Sequence, residues 1–165
     1  MLSHWDVRAS DADGGPTAKR AAGSVPDVSV EFTERNVDAA IDHVARHGAE
    51  NRASLVHYSL VFEAADIVSP QELHHGGDSE AVTRFMRTFH DRCLERGYPP
   101  LDSLVVHVAG GRGGVPGAGY FKVNGQPDPY RRGASADDAF RGGAFLQAQR
   151  DECRRWGDAR RRQGR

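Results

Sequence analysis

The sequence predicts one small α+β domain: three helices, a β-hairpin and a C-terminal helix. Three observations carry the prediction. Apolar residues recur at helical steps of three and four between residues 33 and 95. The period drops to two after the stop formed by Gly97, Pro99 and Pro100. A chain of 165 residues has room for one domain of ordinary size.

Residues 1–28 are rich in Asp, Ala, Gly, Ser and Pro, and they carry few large apolar groups. Such a segment buries too little surface to offset its ordering entropy, so a disordered leader is expected there. The folded part is expected over 29–157, followed by a basic tail over 158–165. Thr33 is placed to cap a helix running to His47, with Val37, Ala40, Ile41 and Val44 on one stripe. The run from Leu55 to Ala65 alternates poorly and reads as a short helix or a strand-to-helix passage. Ser69 and Pro70 suit the start of a short helix that Gly76 and Gly77 break. Ser79 opens the best helix of the chain, with Val82, Phe85, Met86, Phe89 and Cys93 on one face.

Beyond Pro100, LDSLVVHVAGG reads as a strand, and Tyr120 to Val123 as a second strand closed by Asn124-Gly125. Six of the ten residues from 110 to 119 are glycine, which suits a flexible hairpin tip. A last helix is expected from Ser135, with Asp137 and Asp138 near its start and Arg154 and Arg155 near its end. Phe140, Ala144 and Ala148 are its expected inward residues, with Phe145 and Trp156 as further candidates.

Helix, short helix, long amphipathic helix and hairpin is the element order of a winged helix-turn-helix domain. The residues of DRCLERGYPPLDSLVVHVAGGRGGVPGAGYF add a more specific likeness. Cys93, Arg96-Gly97, Pro99-Pro100-Leu101, Leu104-Val105-Val106 and the turn Gly114 to Tyr120 resemble a bacterial module found in or beside HNH-endonuclease and restriction-like proteins. The likeness covers residues 90–121. It implies a winged-helix-like fold in which the third helix enters a DNA groove and the wing touches the backbone. Nuclease activity is not implied, because no His-bearing ββα-metal segment follows.

Charge sharpens the functional reading. The net charge is −1, yet residues 124–165 hold ten basic and six acidic side chains. Those residues carry +4 and the rest of the chain −5. Arginines clustered beside an aromatic ring suit phosphate contacts and base stacking. The candidate nucleic-acid-binding residues are therefore Arg154, Arg155, Trp156, Arg160, Arg161 and Arg162 in the tail, and Arg84 and Arg87 on the long helix. Arg112 at the wing tip and Lys122 complete the set. The expected function is a non-enzymatic DNA- or RNA-binding or regulatory module. A protein-interaction adaptor on the same scaffold is the alternative, and a small metal-dependent enzyme using clustered histidines a more distant one.

Other chemistries lack their signatures. The glycine-rich loop ends Gly-Tyr-Phe and has no Gly-Lys-Ser/Thr to hold phosphates and magnesium. Adjacent His74 and His75 point about 100 degrees apart on a helix, so they rarely share an ion, and no metal or other cofactor is expected. Cys93 lies in an apolar stripe, where an inert thiol is the usual case. Two cysteines form no disulfide framework, and no apolar run approaches the ~18 residues of a membrane span. A reducing cytoplasm and no membrane partner are expected. Hydrophobic residues make up 38% of the chain, below the usual ~45–50%, so the core must come from part of it.

Overall fold

The computed structural model describes residues 32–67, 79–108 and 113–164. Within them the protein is mostly helical with one small parallel sheet, an α+β arrangement. Helix α1, Glu34–Val44, starts at a capping box: the Asn36 amide donates to Thr33 Oγ1, and Thr33 N donates to Asn36 Oδ1 at 2.7 Å. Asn36 also donates from Nδ2 to the Ala65 carbonyl at 2.6 Å, which fixes the end of the next helix against this one. Val37, Ala40, Ile41 and Val44 are buried, as their spacing requires. The helix widens into a π turn over Ala45–Ala49. The chain then reverses through two left-handed residues, Arg52 and Ala53, at φ 58° and 57°.

Strand β1 is the dipeptide Val56–His57, and helix α2, Tyr58–Ala64, follows at once. That is the strand-to-helix passage expected for residues 55–65. The predicted short helix after Ser69 lies outside the described residues. Helix α3, Ser79–Glu95, is the long amphipathic helix, with Ala81, Phe85, Phe89 and Cys93 buried. It ends in a Schellman motif: Gly97 takes φ 66°, Tyr98 N donates to Cys93 O, and Gly97 N to Leu94 O. Arg92 on α3 and Arg96 just beyond its end reach Asp38 on α1 at 3.0 and 2.7 Å. The Arg92 hydrogen bond is the main cause holding the Asp38 carboxyl below its usual range.

The region after Pro100 differs from the predicted hairpin. Leu101–Leu104 forms a 3₁₀ turn, and strand β2 is Val105–Val106. Its partner is β1, in parallel register, with Val56 opposite Val105 and His57 opposite Val106. Tyr120–Val123 is not a strand but part of helix α4, Ala118–Val123. The two-stranded wing is therefore absent from the described residues. The physical reason lies in burial. Val105 and Val106 are both fully buried, so β2 is covered on both faces as parallel strands are. Tyr120 and Phe121 are also consecutive and both buried, where a half-exposed hairpin strand would present alternate residues.

Helix α5, Ala136–Gln163, is capped by Ser135, whose Oγ accepts from Asp138 N at 3.0 Å. Its inward face also differs from the predicted one. Gly142, Leu146, Cys153 and Gly157 are buried, whereas Phe140, Ala144 and Ala148 face solvent. Glycines decide this rotation. A Cβ on Gly142 would overlap the Pro127 carbonyl oxygen, and one on Gly157 would overlap the Ala49 carbonyl. The helix lies directly on backbone at both points, which only glycine permits. Phe145 and Trp156 do pack partly inward. Among the described residues, no helix is long and apolar enough to cross a membrane.

Candidate nucleic-acid interface

The end of α5 docks on the π turn and the 3₁₀ turn, and this seating arranges the basic residues. Trp156 is half-buried and packs at a tilt against Tyr98, with ring centroids 4.9 Å apart. Arg160 lies over the Trp156 ring at 4.8 Å and donates through Nε to Glu50 at 2.7 Å. Trp156, Tyr98, Arg160 and Glu50 thus form a clasp holding the helix end to the body. Trp156 is a packing anchor whose ring is covered by Arg160 and Tyr98.

Arg161 and Arg162 have another setting. Together with Asp158 and Arg52 they line an open depression of about 350 Å³. Arg161 pairs with Asp158 one turn back. Arg52, at the left-handed turn more than a hundred positions upstream, is a third arginine in the lining. Three cationic residues share this lining with one carboxylate, a net charge of +2. Arg52 is the residue that sequence reading misses. Its neighbours Asn51 and Ala53 mark only a turn, and nothing local tells that α5 ends beside it.

The other candidates are dispersed. Arg154 pairs with Asp151 at 3.0 Å, while Arg155 is exposed on the outer side of α5. Arg84 and Arg87 are exposed on α3, Arg84 lying 5.7 Å from the centre of the Phe32 ring. Lys122 is exposed on α4 rather than on a wing. None of these five lines the depression. Arg112 lies outside the described residues, as do His74 and His75.

A second polar cluster is buried where α3, the 3₁₀ turn, α4 and α5 meet. His90 Nδ1 sits 2.9 Å from Asp102 Oδ2, with both residues over nine-tenths buried. Asp102 Oδ1 and the Tyr120 hydroxyl are buried without a protein hydrogen-bond partner among the described residues. Arg150 is desolvated, which lowers its pKa, and it donates to the carbonyls of Ser103 and Gly114 at 3.0 and 3.2 Å. It thereby ties α5 to both ends of the segment that carries β2. Burial pushes the Cys153 thiol up to about 12 and raises the Cys93 thiol as well. Both thiols stay protonated at neutral pH and are poor nucleophiles. No group of three or more His, Cys, Asp and Glu is gathered to hold a metal among the described residues.

Two histidines here give opposite pH signatures. The Asp102 hydrogen bond raises the His90 pKa above its ordinary 6.5. Its contribution to stability is full below pH 6.5 and is lost as pH rises through the folded value. Burial, with Nε2 left without a hydrogen-bond partner among the described residues, lowers the His43 pKa from the same 6.5. Its contribution is full above pH 6.5 and is lost as pH falls through its folded value. Urea unfolding from pH 5 to 9 is expected to show both limbs. His90→Gln should flatten the alkaline limb alone, and His43→Gln the acid limb alone. Identical pH profiles for wild type and both variants would contradict the assignment.

Comparison with protein-family models, curated proteins and solved structures gives no match for this chain. Its own residues therefore carry the functional argument.

Proposed function

We propose that the chain is a non-enzymatic nucleic-acid-binding module that grips phosphates through the C-terminal end of α5 and the Arg52 turn. One observation carries the proposal: Arg52, Arg161 and Arg162, far apart in sequence, line one open depression. Phosphodiester oxygens spaced along a strand match guanidinium forks, which bind them in pairs. The protonated, buried thiols of Cys93 and Cys153 fit a role without covalent catalysis. Of the contacts expected at the wing tip and the C-terminal arginines, those of Arg161 and Arg162 carry this reading, with Arg84, Arg87 and Lys122 as separate, secondary contacts.

Binding to labelled duplex and single-stranded DNA and RNA, measured by anisotropy across a salt series, tests this. Affinity is expected at ~50 mM salt and should fall steeply as salt rises. The triple variant Arg52→Glu, Arg161→Glu, Arg162→Glu should lose at least ten-fold. Its salt slope should also become shallower by about 0.9 per phosphate contact removed from duplex. Arg84→Glu with Arg87→Glu should have the smaller effect. Absence of binding at ~50 mM salt, or undiminished binding by the triple variant, overturns the proposal.

A further inference from the structure

The outer face of α5 carries features that the monomer leaves unused. Phe140 is 75% exposed, the most exposed large apolar side chain among the described residues. Ala144 and Ala148 follow it at steps of four on the same face, all turned away from the core. Charges border this stripe in a definite order. Asp137 and Arg141 lie on its N-terminal side, Asp151 and Arg155 on its C-terminal side. Arg155 has no ion-pair partner among the described residues. Asp137 and Asp151 are held by neighbours on the same helix: Asp137 by Arg141 at 3.6 Å, and Asp151 by Arg154 and Gln147, each at 3.0 Å. Such pairs hold their partners weakly.

We infer that two copies of this chain pair antiparallel through the outer face of α5, centred between Ala144 and Ala148. Charge complementarity selects a second copy as the occupant. Reversing the helix about that centre sets Asp137 against Arg155 of the partner subunit and Arg141 against Asp151 of the partner subunit. Two-fold symmetry repeats each pair, giving four cross-helix attractions. A parallel pairing in register would oppose like charges at every one of these positions. In the antiparallel register Ala144 meets Ala148 of the partner subunit, and two small residues allow the helices to approach at ~8 Å. Phe140 then lies against the stretch from Ala148 to Glu152 of the partner subunit, which removes its ring from water. The contact is isologous, as two-fold dimers require. It leaves Arg52, Arg161 and Arg162 outside the interface, so it stands independently of nucleic-acid binding.

Sedimentation of the full chain from ~1 to 100 μM tests the pairing. A concentration-dependent shift from 18.0 kDa to twice that mass is expected, weakening at high salt. Phe140→Asp should leave a folded monomer, because that side chain supports nothing in the body. Asp137→Arg and Arg155→Asp should each weaken dimerisation about ten-fold or more, and combining them in one chain should restore it. Cross-linking reports the orientation. Ala144→Cys mixed with Ala148→Cys should oxidise to a linked heterodimer faster than either variant links to itself. A monomer at 100 μM overturns the inference. So does a dimer indifferent to Phe140→Asp, a combined charge variant no better than the single ones, or preferential self-linking of Ala144→Cys.

Discussion

Replacing Gly157 with alanine is expected to destabilise the protein by about 3 kcal/mol or more, because the new methyl has no space that side-chain movement can open. What it meets is the Ala49 carbonyl and the Glu50 amide, backbone at the end of the π turn. Relief requires lifting the end of α5, and that would also undo the Arg160 to Glu50 bond and the Trp156 to Tyr98 ring contact. A control comes from the same helix. Nothing lies within 4 Å of a Cβ added at Gly143, so Gly143→Ala should gain about 1 kcal/mol of helix propensity. Thermal unfolding of the two variants should move the midpoint in opposite directions. A Gly157→Ala protein as stable as wild type would show that α5 does not rest on the π turn.

Phe85→Ala should cost about 3–5 kcal/mol, the usual range for emptying a buried phenylalanine site. Phe85 is 1% exposed and stands between two other rings, Phe32 at 5.1 Å and Phe62 at 5.0 Å. Those rings come from the chain before α1 and from α2, so the loss loosens three segments together. Phe85→Leu should recover more than half of the loss, since most of the transfer term returns. Leu94→Ala, on the same helix at 56% exposure, should be nearly neutral. Chemical denaturation separates these outcomes, and equal midpoints for Phe85→Ala and Leu94→Ala would refute the packing.

The sequence made some of this legible through local rules. Thr33 and Ser135 announce two helix starts by their chemistry, and Gly97 announces a helix end. The stripes of α1 and α3 could be read because one face of each is continuously apolar. Failures arose where a contact far along the chain sets the outcome. Val105 and Val106 suit a hairpin as well as a parallel pair, and only the buried position beside Val56 chooses between them. In α5 the ordinary weighting inverts: the glycines mark the buried face, while the apolar stripe through Phe140 is exposed. Nothing local marks Gly142 and Gly157 as contact points, because the backbone each one meets lies elsewhere in the chain. The candidate interface was half legible. Arg161 and Arg162 stand in an evident basic cluster, but Arg52 reaches them only through the fold.

The two-residue parallel sheet also bears on how this chain folds. Val56 and Val105 are 49 positions apart, and a parallel pair admits no short turn between its strands. Its hydrogen bonds cost least entropy once α1 and α3 have docked, because that docking already closes most of the intervening loop. Contacts within α1 and α3 need no such closure and are available from the start. Val56→Ala and Val105→Ala should therefore mainly accelerate unfolding and leave the folding rate almost unchanged, with φ-values near zero. Ile41→Val and Phe89→Leu, in the α1–α3 pair whose docking closes that loop, should instead slow folding. The sheet that joins the two halves of the chain would then be the last part to form and the first to open.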